Sequence, residues 1–241
     1  MDFLEFEKLM HASFLANGIA PLNEDDTRHF YNLTNFLLET NKLTNLTALK
    51  DVGEIICKHY IDSLFAAPLL PLNARVLDIG CGAGFPSLPL AILRSDLDIL
   101  PLDSTAKKID FVQKCVELLG LNNVRPTVGR AEDLSIARDN GFFDCVVSRA
   151  VARLNVLCEL AMPSLRLGGK LVALKGSKAD EEIEEAENAI RLLGGEITAK
   201  TERTLVVGNE TQTRVLIEIS KMKPTPSKYP RAFSMISKRP L

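Results

Sequence analysis

The 241-residue chain has no cysteine pair spaced C-x-x-C, no apolar run of 18 residues and no basic, apolar leader. Each absence removes a class of protein. The five cysteines, Cys57, Cys81, Cys115, Cys145 and Cys158, are scattered and odd in number, which argues against a disulfide framework or a zinc site and for a reducing cytoplasm. Without a long apolar stretch, no segment is expected to span a membrane. The first ten residues carry Asp2, Glu5 and Glu7, where a secretory signal needs a basic start followed by apolar residues. There is no G-x-S-x-G nucleophile sequence. The three histidines, His11, His29 and His59, lie far apart and none neighbours a nucleophile, so they are read as structural or surface residues. Also missing are an Asn/Asp-Pro-Pro-Tyr/Phe sequence, which would hold an exocyclic amine, and a Pro-Cys nucleophile for attack on a pyrimidine ring.

What is present is the composition of a globular protein, 46% hydrophobic and 25% charged, with a net charge of −2 from 29 Lys+Arg and 31 Asp+Glu. The charge is uneven. Residues 221–241 hold Lys221, Lys223, Lys228, Arg231, Lys238 and Arg239 with no acid, so the rest of the chain carries about −8. A basic tail on an acidic body suggests an edge that meets a polyanion, or a solvated, frayed terminus.

Three regions follow from the hydrophobic pattern. Residues 1–70 are predicted helical: Phe3, Phe6, Met10 and Phe14 recur at helical spacing, as do Phe30, Leu33, Phe36 and Leu37, and a third helix is expected from Val52 to Leu70. Residues 71–221 alternate strand and helix signals. Short apolar strands are expected at Arg75–Ile79, Leu97–Leu102, Val124–Val128, Phe142–Val147 and Lys170–Leu174, with Thr204–Val207 and Thr213–Ile219 forming an antiparallel edge hairpin. Strands alternating with helices imply an α/β fold: a mainly parallel seven-stranded sheet covered on both faces. Residues 222–241, with four prolines, are expected to be irregular. The acidic run from Asp180 to Glu187 contains an apolar stripe and reads as the solvated face of a helix rather than a metal site.

Four signals carry chemistry. The strongest is Asp78-Ile-Gly80-Cys-Gly82-Ala-Gly84-Phe85-Pro86, between a strand and a helix. Glycines here permit a sharp turn and a close approach to a ligand. A dinucleotide fingerprint needs its third glycine where Phe85 stands, and Pro86 removes an N–H where a pyrophosphate needs donors. The loop therefore favours a nucleoside cofactor without phosphates, such as S-adenosylmethionine, over NAD or FAD. Asp103, ending the second strand, is placed to accept hydrogen bonds from ribose hydroxyls or to cap the next helix. Gly129-Arg-Ala131-Glu132, past the third strand, could meet an adenine, or form a surface turn or cap. Ser148-Arg149-Ala150 ends the fourth strand, where a methyl donor would face its acceptor. An arginine beside a sulfonium must be neutralised by a carboxylate or a nucleic-acid phosphate.

Taken with Asn45-Leu-Thr-Ala48, His59-Tyr-Ile-Asp-Ser-Leu64, Ala173-Leu-Lys-Gly176 and Lys228-Tyr-Pro-Arg231, these motifs resemble the GidB/RsmG family of bacterial small-subunit ribosomal RNA guanine-N7 methyltransferases. The chain differs from the family pattern in having Thr40 before Asn41 in place of Trp, Ser87 where Gly is common, and Phe233-Ser-Met235 where a Gly and a further Pro are usual. The resemblance implies a class I methyltransferase fold, Rossmann-like, with a helical N-terminal extension. It implies S-adenosylmethionine bound at Gly80, Phe85, Ala131, Glu132 and Arg149, to which the glycine loop and strand positions add Gly82, Gly84 and Asp103. It implies methyl transfer to N7 of a guanine in 16S rRNA, with Arg149 as the catalytic residue. Arg153, Lys175 and Arg231 are expected to meet RNA phosphate. The expected partner is 16S rRNA or the small ribosomal subunit, in the cytoplasm, with no metal, no membrane and no obligate protein partner. Two other readings stay open: an S-adenosylmethionine enzyme acting on a small molecule or protein, and a non-catalytic RNA-binding protein of the same fold.

Overall fold

The computed structural model describes residues 1–137 and 142–241. Its helices begin where the sequence supplies a cap. In α1 (Phe3–Ala16), the Asp2 carboxylate accepts from Glu5 N–H at 2.9 Å and Asp2 N–H donates back to the Glu5 carboxylate. In α2 (Glu24–Thr44), Asn23 caps a first turn holding Glu24, Asp25 and Asp26, all favoured by the helix dipole. The single helix expected from Val52 to Leu70 is instead four short pieces. These are α3 (Val52–Ile55), a π-helical stretch Ile56–Ile61, α4 (Asp62–Leu64) and a 3₁₀ turn at Ala67–Leu69. Apolar spacing does not register a π turn, which changes the hydrogen-bond step from four residues to five. This turn carries Lys58 and His59.

The remaining elements alternate: β1 (Arg75–Ile79), α5 (Ser87–Leu93), β2 (Asp98–Asp103), α6 (Ala106–Leu119), β3 (Thr127–Val128), α7 (Ala131–Ala137), β4 (Phe143–Arg149), α8 (Leu154–Ala161), β5 (Leu165–Lys175), α9 (Ala179–Leu192), β6 (Gly195–Val207), β7 (Glu210–Lys221) and α10 (Phe233–Lys238). The strands form one seven-stranded sheet in the order β3-β2-β1-β4-β5-β7-β6, parallel from β3 to β5, with β7 antiparallel between β5 and β6. The expected Val124–Val128 strand is reduced to two residues plus one bridge from Val124 to Ile99, because Pro126, which has no N–H to donate, interrupts the ladder between them. The hairpin is longer than its apolar core suggested, since its outer residues face solvent and are polar.

Alternating strand residues feed two core layers. Val76 and Val147 face α1, α2 and α6 with Phe14, Phe30, Leu37 and Phe111; Leu77, Val146 and Leu171 face α8 and α9 with Leu157, Ala186 and Ile190. The N-terminal helices share the first layer, where Phe36 stacks on Phe111 with centroids 5.4 Å apart. The tail is not irregular throughout. Tyr229 and Ile236 bury in the second layer, and α10 packs near α8. Strand order reverses between β1 and β4, which opens a crevice at their carboxyl ends. Among the described residues no helix is long and apolar enough to cross a membrane.

Candidate active site

The crevice at the switch point begins with the turn after β1. Gly80 and Cys81 N–H both donate to the Leu102 carbonyl at 2.7 and 3.0 Å. Gly82 N–H donates to Asp103 Oδ2 at 3.1 Å, and Gly84 and Phe85 N–H donate to the Cys81 carbonyl at 2.9 Å each. These amides are spent within the protein, so none of them is left to cradle a phosphate. Gly80 has φ +70°, and a Cβ there would stand 2.5 Å from Val151 Cγ2. G80A therefore adds left-handed strain of roughly 1–2 kcal/mol to a clash with the crevice wall. It should weaken S-adenosylhomocysteine binding at least about tenfold by calorimetry; an unchanged Kd would place the ligand elsewhere.

On the β2 side lies a cavity of about 330 Å³ lined by Gly80, Asp103, Ala131, Glu132, Leu160 and Phe233, among others. Of the two roles considered for Asp103, the structure shows the one at the start of the next helix, and it adds a bond to the glycine turn. Asp103 Oδ1 accepts from Thr105 N–H at 2.8 Å at the start of α6, and its Oδ2 ties down Gly82. Ala131 and Glu132 open α7 and are buried. The two cations lining this cavity sit beside its acids: Lys108 lies 3.4 Å from Asp103 and Arg130 lies 3.8 Å from Glu132. Below the turn, Asp78 is fully buried. Its Oδ2 accepts from Ser87 Oγ at 2.5 Å, while Oδ1 has no hydrogen-bond partner. Burial pushes this carboxyl up to about 7, against the pull of its Ser87 bonds.

On the β4 side two further cavities, of about 210 and 630 Å³, share His59, Arg149 and Ala150, so the crevice is continuous past the glycine turn. Arg149 is the hub. Its Nη1 donates to Asp62 Oδ2 at 3.0 Å and to the Lys58 carbonyl, and its Nη2 meets His59 Nδ1 at 3.1 Å. The neutralising group is therefore the buried carboxylate of Asp62, which also accepts from Arg214 Nε at 3.0 Å. Because arginine only donates, His59 Nδ1 is the acceptor and Nε2–H donates to Thr47 Oγ1 at 2.8 Å. The imidazole stacks on Phe85 with centroids 4.3 Å apart and planes 8° from parallel. Asn41 pins the loop that presents Thr47: its Oδ1 accepts from the Leu46 and Thr47 N–H groups and its Nδ2 donates to the Thr47 carbonyl.

His59 is thus no isolated structural or surface residue but part of the crevice wall. Burial first, then the Arg149 charge, lowers its pKa to about 3 from 6.5. The folded chain keeps His59 neutral while the unfolded chain protonates it near 6.5, so its contribution to stability is present above pH 6.5 and lost as pH falls toward 3. Asp78 acts in the opposite sense, its contribution fading as pH rises through about 7, and is common to wild type and variant. Urea denaturation should therefore show a shallower acid decline for H59Q than for wild type between pH 6.5 and 4.5; parallel curves would contradict this.

The residues expected to meet RNA phosphate are placed differently from free surface cations. Lys175 is nearly buried, with its Nζ 2.7 Å from Glu182 and donating to the Ala152 carbonyl at 2.6 Å. Arg153 spans Glu181 and Glu185 at 2.7 and 2.6 Å, so the acidic run of α9 has cationic partners of its own. Arg231 is engaged by the fully buried Glu159. His59, Asp62, Arg214 and Thr47 are the wall residues that sequence reasoning did not select. The available signal was that two of the motifs carrying the resemblance, Asn45-Leu-Thr-Ala48 and His59-Tyr-Ile-Asp-Ser-Leu64, contain Thr47, His59 and Asp62.

The crevice fits S-adenosylmethionine. Its volume is in the range of small-molecule sites. Two carboxylates, Asp103 and Glu132, line it, groups able to accept from hydroxyl and amino donors and to repel phosphates. Beneath the turn a buried carboxylate oxygen lacks a donor. Among the described residues no group of three His, Cys, Asp or Glu side chains is arranged to hold a metal.

Comparison with known proteins agrees. The crystal structure of M. jannaschii TYW2 in complex with AdoMet matches 67% of this chain and 75% of its own, with a TM-score of 0.55 at 16% identity. P. horikoshii TYW2 in complex with MeSAdo matches 68% and 62%, with a TM-score of 0.53 at 14% identity. These likenesses show the fold alone. The sequence relatives say more. The ribosomal RNA small subunit methyltransferase G of Deinococcus radiodurans is 45% identical over 95% of this chain and 90% of its own. The protein of that name from Streptococcus pneumoniae is 42% identical over 95% and 97%. The family model described as GidB, rRNA small subunit methyltransferase G, matches residues 26–206. With three-quarters of its length inside that model and a crevice built for a phosphate-free nucleoside, the chain belongs to the GidB family of small-subunit ribosomal RNA methyltransferases.

Proposed function

We propose that the protein transfers the methyl group of S-adenosylmethionine to N7 of a guanine in 16S ribosomal RNA, in the cytoplasm. The observation that carries this reading is the absence of a free base among the described residues that line the two cavities around Arg149, Asp78 being fully buried beneath the glycine turn and lining neither. Asp62 is held between two arginines, Glu182 is held by Lys175 and by Leu154 N–H, and both nitrogens of His59 are engaged. Guanine N7 carries a lone pair and no proton, so its methylation needs no base. An exocyclic amine or a hydroxyl must lose a proton, and this wall offers nothing to take it.

When bound, the cofactor supplies a methyl carbon activated by a sulfonium. Asp103 and Glu132 orient the nucleoside end through its hydroxyl and amino groups. The glycine turn lets the backbone approach, and Arg149, with its charge offset by Asp62, sets the wall beside which the acceptor nitrogen lies. Catalysis then rests on alignment, which can contribute roughly 7–11 kcal/mol. In an RNA double helix N7 lies in a deep, narrow groove closed to side chains, so the target is an unpaired guanine or one exposed in a partly assembled subunit.

The test is to incubate the purified protein with methyl-labelled cofactor and small-subunit RNA, then cleave at 7-methylguanosine. A single cleavage site in 16S rRNA is expected. Label on protein or a small molecule, or tight, salt-sensitive RNA binding with no label, would favour the other readings.

A further inference from the structure

We infer that Phe233, carried by the C-terminal tail, is the outer wall of the nucleoside cavity and covers the adenine of S-adenosylmethionine, with the Arg231–Glu159 pair holding it there. The inference rests on the cofactor reading above and adds to it a residue from outside the sheet. Phe233 lies 130 residues beyond Asp103, yet both line the cavity of about 330 Å³ at the β2 side of the crevice.

Three features hold the tail in this place. Tyr229 and Ile236 bury in the core layer beside α8 and α9. Arg231 forks onto Glu159, with Nε at 2.8 Å and Nη2 at 2.6 Å, and its backbone N–H donates to the same carboxylate at 2.9 Å. Glu159 is fully buried, so this pair is a fixed point rather than a loose surface bridge. The residue after Glu159 is Leu160, which lines the cavity, and two residues after Arg231 comes Phe233, which lines it from the tail. One anchor therefore sets the distance between two walls of the cavity.

The chemistry of these walls suits a purine. Leu102, Ala131 and Leu160 contribute apolar surface, and Phe233 adds a ring that the fold does not otherwise bury, since it is 41% exposed. The Arg130 guanidinium stands 5.7 Å from the centroid of that ring, which orients it from the α7 side. A flat heterocycle between the apolar floor and this ring would be stacked and shielded from water. The basic tail thus serves the cofactor, and Arg231 serves the tail.

The experiment measures the Kd of S-adenosylhomocysteine for the full-length protein by calorimetry, together with KM for 16S rRNA. Loss of an aromatic stacking partner should weaken binding by about tenfold in F233A, with F233Y within about threefold of wild type. The melting temperature of F233A without ligand should stay at the wild-type value, because the ring is partly exposed. A Kd equal to wild type in F233A overturns the inference. A raised KM for RNA with an unchanged Kd also overturns it and assigns the tail to RNA. Failure of the wild-type protein to bind S-adenosylhomocysteine removes the cofactor reading itself, and the inference with it.

Discussion

Replacing Arg149 with alanine is expected to lower methyl transfer by at least about 100-fold, the cost of removing a preorganised group from beside the reacting atoms. The same change strips Asp62 of one of its two cations, leaving Arg214 alone on a buried carboxylate. Breaking a buried pair from one side costs up to about 3–5 kcal/mol, so the variant should also melt earlier. The two effects separate in the double variant R149A/D62N, in which no carboxylate is left short of a partner. Its stability should recover most of the loss while transfer stays low. Urea denaturation and a single-turnover assay with labelled cofactor measure the two quantities. Near wild-type transfer in R149A would remove Arg149 from the active site, and recovery of activity with stability would make its role structural.

Arg231→Ala should produce the largest loss of stability of any tail substitution, about 3–5 kcal/mol. The reason is the burial of its partner. Glu159 is fully buried on α8 and receives four hydrogen bonds from Arg231, one from the backbone and three from the guanidinium, whose Nε is shared between both carboxylate oxygens. Truncation leaves an ionised carboxylate with little but the Arg231 N–H to balance it. E159Q/R231Q should cost less than R231A alone, because a neutral amide is cheaper to bury than an unpaired charge. Urea denaturation of the three proteins decides this. A change below about 1 kcal/mol in R231A, with RNA affinity reduced, would return Arg231 to the phosphate-binding role that the basic tail suggests.

The sheet was legible because its signals are local. A strand of β-branched and apolar residues, a glycine turn, and an apolar stripe with a 3.6-residue period are each written within about 15 residues. The same holds for the glycine turn and Asp103, which a strand-helix-strand unit brings together whatever the rest of the chain does. The Arg149 wall was legible only in part. That an arginine beside a sulfonium needs a carboxylate follows from charge. Which carboxylate does not follow, because Asp62 is 87 residues away on a helix whose π turn the apolar spacing cannot reveal. Arg153, Lys175 and Arg231 read as free cations for the same reason: Glu181, Glu185, Glu182 and Glu159 reach them only through the docking of α9 and α8.

What the amino-acid order determined by itself was the alternation of elements, the phosphate-averse turn and the acid after the second strand, since each depends on backbone preferences and side-chain size within a short span. The packed chain alone decided which charges are spent on one another, where His59 stands and where the tail comes to rest. Those outcomes depend on burial and on partners as far as 152 residues distant, and a buried ion pair exists only once folding has brought both ends out of water together.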